Sequence, residues 1–437
     1  MQKIIINHFG PIKHCELTID DFIVCTGPQA SGKSTVAKSV FFFKNLRNIL
    51  FAQFKRTFLF MENSGDHESF LPLKNRFYKE IRLNFLQIFG STWCMDPRMS
   101  MEYYYAPDTY IKISLKEGTG SPNYIWIECS KDIDSFLRYK DRQQNRVAEH
   151  SETENIILKK ELGELFHSYA EIVYIPAGRS MITLLSSQLN YVYSFMDDNQ
   201  KRSIDYCTQN YLERILQLKP SFSQSPSQMI NDARLWSDVK PDTALFDEMA
   251  ELEREILQGD YLNRDGEERL QVAEDRYIKI NFASSGQQEV VWILNVLFYY
   301  LVNNKETFFI IEEPESHLFP AAQKLITEYI ALARGRGKNQ IFITTHSPYI
   351  MGTVNNLLYA DKIADVVDKT LLNQIIPESR WLSFNSFAAY FIQNGEVESC
   401  VDEEFPEIKN EVIDGASEEI NTDFEKMVCL KERYEEG

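Results

Sequence analysis

The stretch FIVCTGPQASGKST, Phe22 to Thr35, sets a glycine-rich loop between an apolar run and a second run, VAKSVFFFKNLRNIL, that has the pattern of a helix. The loop has the spacing G-x-x-x-x-G-K-[ST], which is typical of a phosphate-binding loop. Its four fixed places are filled by Gly27, Gly32, Lys33 and Ser34. A strand before the loop and a helix after it are the context that this motif requires, so the stretch predicts an α/β fold that binds a nucleotide.

The chemistry of such a loop follows from its backbone. Two glycines let the chain turn so that its N–H groups, together with the positive end of the following helix, meet the phosphates. Lys33 is expected to bridge the β- and γ-phosphates, while the hydroxyl of Ser34 completes the coordination of Mg²⁺. The predicted cofactors are therefore ATP and Mg²⁺, and the predicted nucleotide contacts from this loop are Gly27, Ala30, Ser31, Gly32, Lys33, Ser34 and Thr35.

Length and composition narrow the class of protein. At 437 residues the chain exceeds one ordinary domain, which favours a core with a sizeable insertion. Seven cysteines without a C-x-x-C pair or regular spacing argue against a zinc or disulfide framework and fit a reducing cytoplasm. The longest apolar run, VVWILNVLFYYLV at 290–302, is too short to cross a bilayer, and the start does not have the pattern of a signal peptide. We therefore expect a soluble cytoplasmic protein with no membrane partner.

The net charge of −18 is concentrated in two acidic blocks. Residues 141–275 contain 25 acidic and 14 basic residues, and residues 396–437 contain 15 acidic and 4 basic residues. This distribution excludes a uniformly basic nucleic-acid binder but leaves room for a local basic face. The candidate face runs from Lys38 to Arg82, and the alternative is an ordinary solvated helical face. Between those two residues it includes Lys44, Arg47, Lys55, Arg56, Lys74, Arg76 and Lys79.

Strand and helix patterns divide the chain into three parts. Strand patterns precede the loop in KIIIN, HCELTI and FIVCT and follow it in MEYYYA, YIKISL and NYIWIEC. From 141 to 269 the pattern is mostly helical and acidic, which predicts an insertion lobe. The nucleotide-binding core, with a mixed sheet, is accordingly predicted at 1–140 and 270–375. The acidic tail at 396–437 has interleaved apolar residues, so it either docks on a basic surface or is a solvated end.

The run FFIIEEPESHLFP, Phe308 to Pro320, has the pattern of a buried strand that ends in two carboxylates. In a nucleotide site the first carboxylate, Glu312, holds the Mg²⁺ shell, and the second, Glu313, polarises the attacking water. The alternative is a strand that merely ends in surface acids.

A second apolar strand pattern, in NQIFITTHSPY, brings His346 to the same end of a parallel sheet, where open α/β folds bind their ligands. At this place His346 is expected to donate to the γ-phosphate and to hold the attacking water together with Glu313. The alternative is a histidine with a structural role. The predicted catalytic residues are therefore Glu313 and His346.

The segment ASSGQQEVVWIL, Ala283 to Leu294, places Ser-Ser-Gly at the start of an apolar helix. The hydroxyl of Ser284 or Ser285 and the free N–H groups of the first turn form a second anion site, although the same residues would suit an ordinary helix N-cap. One nucleotide needs only one such helix start from its own subunit. The second helix start is therefore expected to serve a nucleotide held by another copy of the chain.

In this order, the phosphate loop, SSGQQ, FFIIEE and His346 resemble the motifs of ABC-type ATPases, in particular the SMC, RecF and OLD-like branch. The resemblance implies a P-loop NTPase of ABC type, with a mixed sheet core and a helical insertion lobe, that closes as a dimer around ATP. Where this family commonly has L-S-G-G-Q, the expected contacts with the γ-phosphate of the opposite subunit are Ser285, Gly286 and Gln288. Gln287 replaces a glycine of the family pattern, and Phe319 stands where transporter subunits have aspartate.

The opening segment up to Thr35 and the segment YIPAGRS are more narrowly similar to stand-alone AAA-type ATPases of bacterial anti-phage systems, such as the ATPase subunits of the Septu and PARIS systems. This similarity implies a homo-oligomeric, ATP-hydrolysing switch that controls a separate effector, a nuclease or toxin, in antiviral defence. The sequence has neither the acidic pattern of a Toprim domain nor an HNH-like cluster, so any nuclease activity is expected in another chain.

Two other functions are kept as alternatives. A RecF- or SMC-like ATPase of DNA repair or chromosome maintenance would bind duplex DNA directly. The nucleotide-binding subunit of a transporter fits less well with Phe319 and the long insertion. Two residues also have open roles: Arg179 is either a phosphate sensor or a strand-end ion pair, and Gln87 is a candidate for the family glutamine that links Mg²⁺ to the neighbouring lobe.

Overall fold

A computed structural model describes residues 2–61, 71–118, 121–144, 152–183, 205–236, 242–335, 337–402, 405, 407–409 and 426–427. Its strands, in chain order, are β1 (Gln2–Phe9), β2 (Ile12–Ile19), β3 (Phe22–Thr26), β4 (Ser100–Ala106), β5 (Thr109–Gly118), β6 (Ser121–Cys129), β7 (Glu171–Ile175), β8 (Asp260–Arg264), β9 (Glu267–Ala273), β10 (Arg276–Lys279), β11 (Thr307–Glu312), β12 (Gln340–Thr345), β13 (Phe387–Gln393), β14 (Glu396–Ser399), β15 (Val401–Asp402) and β16 (Glu407–Ile408).

Eleven of these strands form one mixed sheet in the order β6-β5-β4-β1-β2-β14-β13-β3-β12-β11-β7. The strands from β13 to β7 run parallel to their neighbours, so their carboxyl ends meet at one edge of the sheet. The strands β6, β5, β4, β1 and β2 form an antiparallel half. The hairpin β13–β14 joins the two halves, because β14 lies beside β2 and β13 lies beside β3.

Helices cover both faces of this sheet. In chain order they are α1 (Lys33–Met61), α2 (Leu73–Phe89), α3 (Lys131–Gln144), α4 (Glu152–Leu165), α5 (Tyr206–Leu218), α6 (Pro226–Trp236), α7 (Thr243–Leu257), α8 (Ser285–Val302), α9 (Pro320–Ala333), α10 (Pro348–Ile363) and α11 (Lys369–Ile375). Helices α1 to α4 pack on one face and α5 to α10 on the other. Successive residues of β3 alternate between the two apolar cores: Phe22 and Val24 face one, and Ile23 and Cys25 face the other. This double coverage explains why the parallel strands are apolar throughout.

The six strand patterns quoted from the first 130 residues form β1 to β6, which confirms the predicted α/β fold with a mixed sheet. The sheet nevertheless crosses the predicted domain boundaries. Strand β7, from within 141–269, lies in the main sheet, and α5 to α7 share one apolar core with β3, β11 and β12. The described parts of that segment thus share the main sheet and one apolar core with the predicted nucleotide-binding core. The small sheet β10-β9-β8 straddles its predicted end.

The predicted acidic tail also begins inside the fold. Strand β14 belongs to the main sheet, and the hairpin β15–β16 packs on α10. Asn355 of α10 donates to the carbonyl oxygen of Ile408 at 3.1 Å and accepts from its N–H at 2.8 Å. The described packing thus includes Ile408 and Lys409, within the predicted tail. Beyond Lys409, only Lys426 and Met427 are among the described residues.

Several cations of the predicted basic face, Lys38 to Arg82, are used inside the molecule. Lys38 pairs with Asp205 at 2.7 Å. Lys44 is partly buried, and this burial, reinforced by the charge of Arg47, lowers the pKa of Lys44 to about 7. The guanidinium of Arg47 donates to backbone carbonyls just before β7. These residues hold α1 against the sheet, so neither a basic binding face nor a solvated face describes them.

No helix within the described ranges is both long enough and apolar enough to span a bilayer.

Candidate nucleotide site

The phosphate loop lies between β3 and α1, at the edge where the parallel strands end. Gly27 has φ of 143°, Gly32 has φ of 112°, and Ala30 is left-handed with φ of 59°. A Cβ atom on Gly27 would lie 2.2 Å from the carbonyl oxygen of Ile392 on β13, so only glycine fits there. The loop has the turned backbone that the spacing predicts, and a strand from far along the chain braces it.

Lys33 is the first residue of α1 and is buried, with 6% of its surface exposed. Its Nζ donates to the carbonyl oxygens of Gly27 and Pro28, both at 2.8 Å. Burial lowers the pKa of Lys33, while the charges of Glu313 and Glu315 act in the opposite direction. The carboxylates that follow β11 thus act electrostatically on the lysine of the phosphate loop.

A pocket of about 580 Å³ opens beside the first turns of α1. Ser34, Thr35 and Lys38 form one wall, the turn between β1 and β2 forms a second, and the segment from Ile88 to Asp96 forms a third. A pocket of this size is in the usual range for a small ligand. Ser31, also in the loop, has a buried Oγ with no hydrogen-bond partner among the described residues.

Glu312 ends β11 and is buried, with 4% of its surface exposed. Its Oε2 accepts the N–H of Ala177 at 3.3 Å, whereas its Oε1 has no hydrogen-bond partner within the described part of the chain. A buried carboxylate oxygen without a partner is unfavourable unless an ion or water binds it. Together with the Ser34 hydroxyl, this oxygen fits the ligands that Mg²⁺ prefers. Across the described ranges no group of three or more His, Cys, Asp and Glu side chains could hold a metal ion.

Glu313 follows directly and turns the chain, with φ of 41°. Its N–H donates to the carbonyl oxygen of Thr344 on β12 at 2.9 Å. The side chain is 34% exposed, and its Oε1 lies 3.8 Å from Nδ1 of His346. The backbone of Glu313 is thus fixed while its carboxylate reaches solvent, which is what a group that polarises water requires.

His346 follows β12 and has 56% of its side chain exposed. Its Nδ1 lies 3.3 Å from Oε1 of Glu315, and the same oxygen accepts the N–H of His346 at 2.8 Å and the hydroxyl of Thr345 at 2.7 Å. The imidazole thus has Nδ1 beside this buried carboxylate. Sequence reasoning did not single out Glu315. Its only signal is its place two residues after Glu313 in EEPES.

The second predicted anion site lies at the start of α8. Ser284 is the N-cap, and its Oγ accepts the N–H of Gln287 at 3.3 Å, while Oε1 of Gln287 accepts the N–H of Ser284 at 2.9 Å. This reciprocal capping box fits the N-cap reading of Ser284. Ser285 is exposed, and its side chain makes no hydrogen bond within the described residues. Of the two serines, Ser285 therefore has the hydroxyl that is available to a ligand.

Two other residues of this motif, Gly286 and Gln288, pack against other parts of the same chain. Gln288 is buried and donates to the carbonyl oxygens of Ile280 and Ala283, both at 3.1 Å, so the structure does not place its amide with the predicted phosphate contacts. A Cβ atom on Gly286 would lie 2.8 Å from the carbonyl oxygen of His317. Glycine at 286 lets the start of α8 lie directly against the loop that follows β11.

Arg179 follows β7 and is fully buried. Its guanidinium donates to the carbonyl oxygens of Glu312 and Glu313 and pairs with Glu289 of α8 at 3.3 Å. These contacts favour the strand-end ion pair over the phosphate sensor. The other residue with an open role, Gln87, is exposed on α2 and does not line the pocket beside α1. The sequence has no local signal for Glu289, which lies inside an apolar helix.

Three solved structures overlap the chain loosely. A head domain of SMC bound to the C-terminal winged helix domain of ScpA has a TM-score of 0.40 and 12% identity, covering 92% of this chain and 98% of that one. The SMC head domain from Thermotoga maritima has a TM-score of 0.35 and 12% identity, covering 91% of this chain and 97% of that one. A dimeric ATP-binding cassette bound to ADP and phosphate has a TM-score of 0.30 and 12% identity, covering 91% of this chain and 97% of that one. At such TM-scores none of them bears on function. No curated protein matches the chain.

A protein-family model gives a firmer result. The model of the AAA ATPase domain matches residues 1–351, which include the phosphate loop, the start of α8, both carboxylates after β11 and His346. With these motifs gathered at one edge of the sheet in the order of an ABC-type ATPase, the chain belongs to the AAA ATPase domain family.

Proposed function

We propose that the protein is an ATP-hydrolysing switch that closes as a homodimer around ATP and in this form controls a separate effector protein. One observation carries the proposal: three motifs from distant parts of the chain meet at one edge of the sheet. Lys33 begins α1 at the end of the loop that follows β3, Glu313 directly follows β11, and the carboxylate of Glu313 lies 3.8 Å from Nδ1 of His346, which follows β12. A lysine, a half-exposed carboxylate and an oriented imidazole are the groups that hydrolysis of a γ-phosphate requires.

Each residue has a distinct role in the proposed reaction. Lys33 and the N–H groups of the loop bind the β- and γ-phosphates. Glu313 accepts a proton from the water that attacks the γ-phosphate, and His346, oriented by Glu315, donates to a γ-phosphate oxygen. Mg²⁺, when bound by Ser34 and Glu312, neutralises charge on the phosphate oxygens.

Exposed groups around the start of α8 support the homodimer. Ser285 is exposed there, and two aromatic side chains nearby in the sequence motifs are also largely exposed: Phe282 at 81% and Phe319 at 78%. Large exposed apolar side chains beside a polar motif are typical of an interaction surface. In a twofold dimer this surface would meet the nucleotide of the other subunit, and the other subunit would reciprocate.

The proposal also specifies the kind of effector and the biological process in which it acts. That the effector is a nuclease or toxin of an anti-phage system rests on the similarity of the opening segment and of YIPAGRS to stand-alone ATPases of such systems. The same catalytic geometry would suit a DNA-repair or chromosome-maintenance ATPase. The internal use of Lys38, Lys44 and Arg47 removes the main argument for direct DNA binding by the predicted face.

The test measures ATP hydrolysis and oligomeric state on the same samples of wild type and Glu313→Gln. We expect the wild type to hydrolyse ATP, and Glu313→Gln to bind ATP but to hydrolyse it about 100-fold more slowly, because an amide cannot accept the proton. With ATP, Glu313→Gln should elute as a dimer, and without ATP as a monomer. Glu306→Gln, an exposed change just before β11, is the matched control and should behave as wild type.

Each part of the proposal has its own opposing result. Turnover that persists in Glu313→Gln but is lost in Glu312→Gln would show that the roles assigned to the two carboxylates must be exchanged. An ATP-bound Glu313→Gln protein that stays monomeric would contradict the switch. For the effector, partners that copurify with Glu313→Gln from its native host in ATP and in ADP are identified by mass spectrometry. ATP-dependent duplex DNA binding, without an ATP-dependent protein partner, would favour the DNA-maintenance function.

A further inference from the structure

The guanidinium of Arg179 joins three separate segments of the chain. Its Nη1 donates to the carbonyl oxygens of Pro176 and Glu312, both at 2.6 Å, and its Nη2 donates to that of Glu313 at 2.9 Å. Its Nε donates to the carbonyl oxygen of Glu289 at 3.0 Å. A planar group with five N–H donors in a fixed fork can satisfy this many acceptors at once, whereas an ammonium cannot.

Glu289 completes the network from the side of α8. It is 1% exposed, and its carboxylate accepts the N–H of Arg179 at 3.0 Å and the N–H of Ser180 at 2.9 Å. Glu289 lies four residues after Ser285, so the two residues are on the same side of the helix, one turn apart. The network therefore runs from the start of α8 to the backbone of the carboxylates after β11.

At its other end the network holds an unfavourable backbone. Glu313 has φ of 41°, in the left-handed region that a residue with a Cβ adopts only when its surroundings impose it. Its N–H is held by the carbonyl oxygen of Thr344, and its own carbonyl oxygen is held by Arg179. The direction of the Glu313 side chain depends on both bonds.

We propose that Arg179 is a positioning residue for ATP hydrolysis. It fixes the backbone that aims Glu313, and through Glu289 it ties this geometry to the position of α8. When α8 moves against a nucleotide of the other subunit, the movement reaches the catalytic carboxylate through this buried pair. The inference rests on the proposed function, since it assigns a role within the same hydrolysis reaction.

The test compares Arg179→Lys and Glu289→Gln with a matched control, Arg47→Lys. Arg47 is a partly buried arginine that also donates to backbone carbonyls, and it sits at the opposite end of β7. For the two network variants we expect kcat to fall by about 10-fold or more, with the KM for ATP and ATP affinity within about 2-fold of wild type. The control should lose a similar amount of thermal stability but keep its kcat. A role in packing alone would not separate kcat from thermal stability in this way.

Three results decide against the inference. A folded Arg179→Lys protein with the kcat of wild type would overturn it while leaving the proposed function intact. If kcat falls in proportion to thermal stability in all three variants, the network of Arg179 and Glu289 contributes only to packing. If Arg179→Lys does not fold, Glu289→Gln, which keeps the shape of its side chain, gives the result: an unchanged kcat overturns the inference. A wild type that binds ATP without hydrolysing it would instead overturn the proposed function.

Discussion

Three glutamates within four residues have different surroundings, and their surroundings separate their roles. Glu312 is buried and has one oxygen without a partner in the described residues, as a metal ligand would. Glu313 is about a third exposed and has a left-handed backbone, so its carboxylate can reach a water. Glu315 is buried, and one of its oxygens accepts the hydroxyl of Thr345 and the N–H of His346 and lies 3.3 Å from Nδ1 of that histidine. The proposed function accordingly gives neighbouring residues of one type three different roles: metal ligand, activation of water and positioning of the imidazole.

Lys33→Ala should weaken ATP binding by about 10- to 100-fold, because it removes the one ammonium expected to reach both terminal phosphates. Equilibrium binding of a fluorescent ATP analogue measures the change. Lys74→Ala removes a lysine that pairs with Asp134 away from the site, and it should bind like wild type. Unchanged affinity in a folded Lys33→Ala protein would contradict the role given to the phosphate loop.

At this scale the sequence predicts the residues whose role depends on local geometry. The spacing of Gly27, Gly32 and Lys33 defines a turn, and Glu313 and His346 each follow an apolar strand, so their places could be predicted. Glu289 and Glu315 could not be predicted. Glu289 meets Arg179 across 110 residues of chain, a contact that is set by how α8 packs under β7 and β11.

Among the helices, α8 has two contrasting parts. From Gln288 to Phe298 every residue is buried, but the helix starts with an exposed serine beside the loop after β11. The sequence predicts the helix and its polar start. It does not predict which serine caps the helix, because both serines suit an N-cap. The structure resolves this choice through the capping box of Ser284 and Gln287.

Ser285→Arg should leave the phosphate loop of each monomer intact but block closure, because a bulky cation at the helix start would collide with the nucleotide of the other subunit. ATP binding should stay near that of wild type while turnover falls by about 10-fold or more. Ser284→Thr, which keeps the cap, is the matched control.

Mixing Ser285→Arg with Lys33→Ala tests whether the site is shared. In a mixed dimer one site combines an intact Lys33 with an intact Ser285, so part of the turnover should return. If mixed dimers are shown to form and hydrolyse no faster than either variant alone, the shared site is wrong.

The packing of α7 against α9 predicts a pH dependence of stability. Glu253 is buried there, and burial, followed by the charge of Asp260, raises its pKa to about 8. Between pH of about 4.5 and 8 the folded protein keeps a proton that the unfolded chain releases, so this group lowers the free energy of unfolding by about 1.4 kcal/mol per pH unit as pH rises. Glu253→Gln should therefore raise the melting temperature at pH 8 more than at pH 5. Glu251→Gln, an exposed change on the same helix, should have little effect at either pH; equal shifts for Glu253→Gln at both pH values would contradict the buried acid.

For the whole molecule, the hairpin β13–β14 is the feature that the sequence did not predict. Asn394 and Gly395 form its two-residue turn with φ of 55° and 85°, and the carbonyl oxygen of Gly395 accepts the N–H groups of Lys13 and His14. The run FAAYF is short and lies next to the acidic tail, so local patterns give little reason to place it in the centre of a sheet. Its place in the sheet becomes clear only from the pairing of β13 with β3 and of β14 with β2.

Two truncations follow from this hairpin. Removal of the chain from Glu396 onward takes away β14 and the contact of Ile408 with Asn355, so the melting temperature should fall by several degrees or more and ATP turnover should fall with it. Removal of residues after Lys409 should leave turnover within about 2-fold of wild type. Melting curves and turnover of both truncated proteins provide the measurement. Equal behaviour of the two would contradict the structural role of β14.

The place of β14 also has a consequence for how the protein is made. Strand β2 leaves the ribosome about 380 residues before β14, a wait on the order of 20 to 80 s at ordinary rates of translation. During that time the antiparallel half can form by local pairing, but the edge of β2 stays open to unwanted strand partners. The phosphate loop is also without the carbonyl oxygen of Ile392 that confines Gly27. A nascent chain is therefore expected to depend on chaperones and to gain the ability to bind ATP only after β13 has been made.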